Sequence, residues 1–143
     1  MEKISHVIGR IESFEWWDEI GKEIKVLDYQ EEKYIKYYLV YDTPWPLDDR
    51  DLCVNATITN DTVAHTRTVY SVALPGVVPE KSGLVRITNY WQKWVITPAG
   101  EGKINVVLEG SVDPGGAIPA WVVNMVISDT PLNIINKVRV RVE

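Results

Sequence analysis

The stretch VDPGGAIPAWVVNMV, residues 112–126, decides how the rest of this chain is read. Asp-Pro-Gly-Gly is turn chemistry, with proline setting one backbone angle and glycine free to take the left-handed ones. No charged residue follows from Ile118 to Ile127; one Trp and one Asn, Trp121 and Asn124, interrupt an otherwise aliphatic run. A surface helix carries an apolar stripe and a charged face. A helix apolar on almost every side is expected either to be wrapped by other elements or to cover something apolar that is not protein.

The residues upstream supply the wrapping. INVVLEGSVD (104–113) alternates, with Ile104, Val106, Leu108 and Val112 on one side and Asn105, Glu109 and Ser111 on the other. LCVNATITN (52–60) does the same, placing Leu52, Val54, Ala56 and Ile58 opposite Cys53, Asn55, Thr57 and Thr59. HTRTVYSVAL (65–74) predicts a strand with Thr66, Thr68, Tyr70, Val72 and Leu74 opposite His65, Arg67 and Ser71. LVRITNYWQKWVITP (84–98) predicts another, bent or bulged between Asn89 and Lys93. From Glu23, EIKVLDYQEEKYIKYYLVYD reads as two strands around the polar turn YQEEK, the first of them short, about Glu23 to Asp28. PWPLDDRD (44–51) is a proline-punctuated corner, since neither proline can donate to a ladder.

About six antiparallel strands result. A helix over residues 3–20 precedes them, from the spacing of Ile4, Val7, Ile8, Ile11 and Phe14, and the C-terminal helix follows, interrupted at Pro131 and resumed through LNIINKVRV. The expected fold class is α+β, a single domain over 1–143, with an antiparallel sheet curled around a long C-terminal helix.

Composition excludes several roles. A net charge of −5 with scattered Lys and Arg leaves no basic stripe for a phosphate backbone, so nucleic acid is not an expected partner. One cysteine, Cys53, rules out an internal disulfide and suits a reducing compartment. The N-terminus lacks the apolar core of a signal peptide, and no apolar run approaches a membrane span, so the expected location is cytoplasmic. Six Trp and seven Tyr against one Phe is an aromatic balance suited to the boundary between an apolar cavity and water, or to a core rich in amphipathic rings.

Candidate chemistry is sparse. Asp48, Asp49, Arg50 and Asp51 form the densest carboxylate cluster, but no spaced ligand set follows, and a corner with local Asp–Arg pairing accounts for them. His6 and His65 stand alone, without the His or Cys spacing of a zinc site. Cys53 and His65 both fall on polar strand faces, and no phosphate-binding loop or nucleophile elbow is present. Neither catalytic residues nor a metal nor a cofactor is expected. Arg86, in the apolar strand start GLVRI, either snorkels outward or is held in a buried pair; periodicity favours the outward placement.

WPLDDRD, GLVRITNYWQKWVITP, VDPGGAIPAWVVNMV and DTPLNIINKVR, in that order and spacing, resemble the START lipid-transfer domains, the family related to steroidogenic acute regulatory protein. WWDEIGKEIKVLD resembles a further family segment and selects Trp17 over Trp16. The resemblance implies a helix-grip fold with a hydrophobic tunnel between sheet and C-terminal helix, where a lipid or other apolar small molecule binds without reaction. The rival class is the cyclase/aromatase-like or hydrolase-like enzymes of the same superfold, which need titratable groups facing inward. Under the first reading the ligand-binding walls come from Tyr37, Val54, Ala56, Ile58, Tyr70, Val72, Arg86, Val106, Leu108, Ile118, Trp121, Asn124 and Met125. Transient membrane contact accompanies such a role.

Two departures qualify the resemblance. The acid and arginine of the cholesterol-binding branch fall near Tyr38 and at Ala56, so sterol specificity does not carry over. The family also has a helix and about three strands ahead of the matched region; either those residues are missing or a second copy covers the gap. An unpaired edge promotes association, so a C₂ homodimer is expected, through edge strands or an exchanged N-terminal helix.

Overall fold

The computed structural model describes residues 21–121, 123–124, 132–133, 135–136 and 139. The expected helix at 3–20, Met125 and the interruption at Pro131 lie outside the described residues. The strands are β1 (Gly21–Gln30), β2 (Tyr34–Tyr41), β3 (Asp49–Asp61), β4 (Thr66–Ala73), β5 (Leu84–Arg86), β6 (Asn89–Gly100) and β7 (Lys103–Asp113). They form one seven-stranded sheet in the order β1-β2-β3-β4-β6-β7, antiparallel throughout, with β5 pairing in parallel to the start of β3. Ala120, Trp121, Val123 and Asn124, and then Leu132, Asn133, Ile135, Asn136 and Arg139, are helical. The architecture is α+β.

Local chemistry explains the turns. The β6–β7 connection is a two-residue hairpin whose central residues, Glu101 and Gly102, have φ of 53° and 73°, as a type I′ turn requires. At the β3–β4 turn Asp61 Oδ1 accepts from the backbone N–H of Val63 and Ala64 (2.9 and 3.0 Å), an Asx-type cap. His65 closes that turn at φ 52°, so it belongs to the turn and not to β4.

Three expectations are corrected here. The first strand is not short: β1 runs ten residues and carries two bulges against β2. The stretch 84–98 is two strands, because the chain leaves β3 at Ile87 and Thr88 and resumes beside β4 as β6. The Ile87 N–H donates to the Asp51 carbonyl at 2.9 Å, which fixes that switch. Finally, β4 shows its other face. Val69 pairs with Ile58 and Ser71 with Ala56, so Arg67, Val69, Ser71 and Ala73 share the face of Val54, Ala56 and Ile58, while Tyr70 and Val72 point the opposite way.

Both sides of the sheet are apolar at its centre. One face carries two contiguous clusters, Ala56, Val69, Trp94 and Ile96, then Leu39, Leu52, Val54 and Ile87, each buried. The opposite face carries Tyr38, Val40 and Cys53 beneath Leu74, Val78 and Leu84. Leu52, Cys53 and Val54 are consequently all buried, although their side chains alternate in direction. Cys53 thus lies on the face expected but is covered by the β4–β5 loop, not solvated.

Candidate functional site

The register lays the first face out in rows. Tyr37 and Val54 pair, as do Ile58-Val69-Trp94-Leu108 across four strands and Arg67-Ile96-Val106 in the next row. Ile58, Val106, Leu108, Tyr37, Tyr41 and Tyr90 on this face are half-buried, packed against the clusters but not enclosed. By register, no histidine or carboxylate of the seven strands falls on it.

Its polar groups are mostly neutral. Ser71 is buried, and Trp94 Nε1–H donates to Gln92 Oε1 at 3.1 Å. Burial pushes the phenols of Tyr37, Tyr41 and Tyr90 well above the ordinary tyrosine range. Proximity to Tyr41 adds to the effect at Tyr37, and proximity to both adds to it at Tyr90. The three rings therefore cluster, and all stay protonated at physiological pH.

A buried arginine stands at each end of the face. Arg50, 5% exposed, donates from Nε to the Pro114 carbonyl (3.2 Å), from Nη2 to the Gly115 carbonyl (3.0 Å), and from Nη1 to the Asp48 carbonyl. It fastens the turn that leads into the helical residues at Ala120. Gly115 and Gly116 both have positive φ, and a Cβ on Gly116 would come within 3.3 Å of Arg50 Nη2. The Val123 N–H then donates to the Pro119 carbonyl, placing Pro119 in the first helical turn. Arg67, 8% exposed, donates from Nη1 to Glu32 Oε2 (2.6 Å) and Asn60 Oδ1 (3.2 Å), and from Nη2 to Glu32 Oε1 (3.2 Å). This pairing holds the Glu32 carboxyl below its ordinary range.

The opposite face holds a separate network. Arg86 and Asp51 form a two-pronged ion pair, Nε to Oδ1 at 2.7 Å and Nη2 to Oδ2 at 2.9 Å, with side chains 4% and 1% exposed. Tyr38 donates its hydroxyl to Asp51 Oδ2 at 2.8 Å. Arg86 also donates to the carbonyls of Val78 and Pro79, which pins the β4–β5 loop. Burial pushes the Asp51 carboxyl up, but the bonds from Arg86 and Tyr38 outweigh it and hold the acid below its ordinary range. The outward placement expected for Arg86 is thus replaced by the buried pair, because its partner lies 35 residues upstream. Arg50 bonds the Asp48 carbonyl within the corner and also reaches 65 residues along the chain to Gly115.

Of the ligand-binding expectations, Tyr37, Val54, Ala56, Ile58, Val106 and Leu108 come together on one face. Tyr70, Val72 and Arg86 lie on the other, Tyr70 tilted against Trp91 with ring centroids 6.3 Å apart. Ile118 is half-buried ahead of the helical turn, Asn124 is exposed, and Trp121 is 60% exposed. Sequence reasoning missed Val69, Trp94, Ile96 and Arg67 on the shared face. The phase of β4 against β3 identifies them, and alternation within one strand does not contain that phase. Among the described residues no group of three or more His, Cys, Asp or Glu side chains is placed to hold a metal ion, and no helix is long and apolar enough to cross a membrane.

Comparison with known proteins gives a consistent picture. The START domain family model matches residues 1–143. The uncharacterized protein PA1579 of Pseudomonas aeruginosa is 32% identical over 123 residues, covering 86% of this chain and 60% of that protein. Mouse phosphatidylcholine transfer protein is 30% identical over 112 residues, covering 76% of this chain and 51% of its own length. The chain thus spans between half and two thirds of these curated relatives. Among solved structures, the STAR-related lipid transfer protein fragment from Xanthomonas axonopodis superposes with a TM-score of 0.83 at 24% identity, over 99% of this chain and 78% of the other. Human STARD10 gives 0.83 at 20%, over 99% and 57%.

Proposed function

The chain belongs to the START domain family, and from that premise we propose that it binds a lipid or other amphiphilic small molecule on the face lined by Tyr37, Val54, Ala56, Ile58, Val106 and Leu108, without transforming it. The observation that carries the proposal is the composition of that face. Five strands present a half-buried apolar surface whose central polar groups are a serine, a glutamine and three protonated tyrosines. Such groups orient an uncharged part of a ligand; acid–base catalysis needs a titratable pair near its working pH, and the strand rows of this face hold none.

The proposal extends to a tunnel between this face and the helical segment beginning at Ala120, with Ile118, Trp121 and Asn124 on the helical side. It extends also to a cytoplasmic location, to transient contact with a membrane during exchange, and to a C₂ dimer. The outer edges of β1 and β7 have no strand neighbour among the described residues, which supports pairing between copies there. Sedimentation at tens of micromolar tests the dimer; a monomer overturns it.

The decisive experiment on function is organic extraction of the purified protein followed by mass spectrometry, together with titration of a fluorescent fatty acid. Co-purified lipid, or saturable one-to-one binding, is expected. A ligand-free extract combined with no binding overturns the proposal.

A further inference from the structure

Three arginines described above are buried on or behind the sheet, and they differ in how their donors are used. Arg50 is held by three backbone carbonyls, and Arg86 by a carboxylate and two carbonyls. Arg67 alone of the three has a buried donor with no partner, its Nε. A guanidinium withdrawn from water without all its donors met carries a desolvation cost that a further acceptor would relieve. Its counter-ion is also the most loosely built of the set. Glu32 sits on the three-residue turn between β1 and β2, at φ 61°, with its side chain 60% exposed. The other two arginines are held by backbone carbonyls and by a buried strand carboxylate, whereas this carboxylate sits on an exposed turn and can swing into solvent.

Position gives the arrangement its meaning. Arg67 pairs in register with Ile96, one row beyond Ile58, Val69, Trp94 and Leu108. From Arg67 the apolar face runs towards Ala73 in β4, six residues of strand, or about 20 Å at ~3.4 Å per residue. That is the length of a long acyl chain, with a buried cation at one end.

We propose that Arg67 is the head-group site of this face and that its ligand is an amphiphile with an anionic head, a carboxylate or a phosphate monoester, which displaces Glu32. The proposal rests on the lipid-binding function above and narrows it. The anion accepts from the guanidinium in a charge-assisted, two-pronged geometry while the chain lies over Ile58, Val69 and Trp94. Glu32 is then a competitor for the site, and removing its charge strengthens ligand binding.

Calorimetric titration with dodecanoate, dodecanamide and inorganic phosphate tests this. Wild-type protein is expected to bind dodecanoate about tenfold or more tighter than dodecanamide, since one charge-assisted bidentate contact is worth at least that factor. Arg67→Gln is expected to abolish the preference by weakening dodecanoate while leaving dodecanamide within about twofold. Glu32→Gln, which removes the charge on an exposed turn while keeping a side-chain oxygen for the guanidinium, is expected to tighten dodecanoate severalfold. Equal affinities for the two amphiphiles in wild type, or no gain from Glu32→Gln, overturns the head-group site while lipid binding stands. Binding of phosphate that depends on Arg67, with neither amphiphile bound, keeps the anion site and overturns its assignment to a lipid. Binding of none of the three overturns both.

Discussion

Arg50 Nη2 lies 3.0 Å from the carbonyl oxygen of Gly115, 65 residues further along the chain, and this contact joins the start of β3 to the turn that precedes the helical segment. The same guanidinium takes the Pro114 carbonyl through Nε. A sharp Asp-Pro-Gly-Gly turn exposes carbonyls that no strand can satisfy, and a planar five-donor group matches them better than an ammonium would.

Replacing Arg50 by Ala should therefore cost about 2–4 kcal/mol, because three part-buried carbonyls lose charge-assisted donors. Chemical denaturation measures the loss, and amide exchange should accelerate first around Gly115 to Val123. A variant as stable as wild type would show that the turn holds itself.

Gly116→Ala tests the same junction from the other side. Its φ is +69° and the new Cβ would meet Arg50 Nη2 at 3.3 Å, whereas Gly102, at φ +73°, has open space around it. Both alanine variants bear the left-handed penalty of about 1–2 kcal/mol, and only Gly116→Ala also disturbs the clamp. Thermal unfolding should rank Gly116→Ala below Gly102→Ala.

The Asp51–Arg86 pair gives a pH prediction. Because Asp51 is held below its ordinary value of 3.8, its contribution is fully present above that value and is lost as pH falls through the lower, folded one. Asp51→Asn should cost about 3–5 kcal/mol at neutral pH, since it leaves the Arg86 charge buried and unpaired. The difference between wild type and Asp51→Asn should shrink below about pH 4. Denaturation midpoints between pH 3 and 7 check this; a pH-independent difference would remove the carboxylate's charge from the explanation.

Trp121 is 60% exposed, so Trp121→Ala should cost well under the roughly 3–5 kcal/mol of a fully buried tryptophan. Under the proposed function the loss appears in ligand affinity, and titration of a fluorescent fatty acid against both forms measures it. A core-sized destabilisation would place the ring in packing the exposure does not show.

Much of this fold was legible in the sequence because its strands alternate cleanly where only one face is apolar. In β7, Ile104, Val106 and Leu108 carry the pattern unaided, and the glycines at 100 and 102 mark the hairpin. In β4 the pattern is degenerate: Val69 and Val72 are out of phase, and Thr68 looks as polar as Arg67 or Ser71. Only the pairing of Ala56 with Ser71 decides the face. The same limit hid the long-range bonds of Arg50 and Arg86, whose partners Gly115 and Asp51 lie 65 and 35 residues away and leave no local trace. The candidate site was legible on β2, β3 and β7 and misassigned on β4 and β5 for that reason.

Cys53 is the sole thiol in the chain, 1% exposed, with burial raising it above the ordinary thiol range, and it lies beneath Leu74, Val78 and Leu84. A reagent in solution can reach it only when the segment pinned by Arg86 lifts. The protein thus contains its own stopwatch. The rate at which a colorimetric disulfide reagent labels the native chain counts the openings of that flap, with no engineered label and no background from a second site.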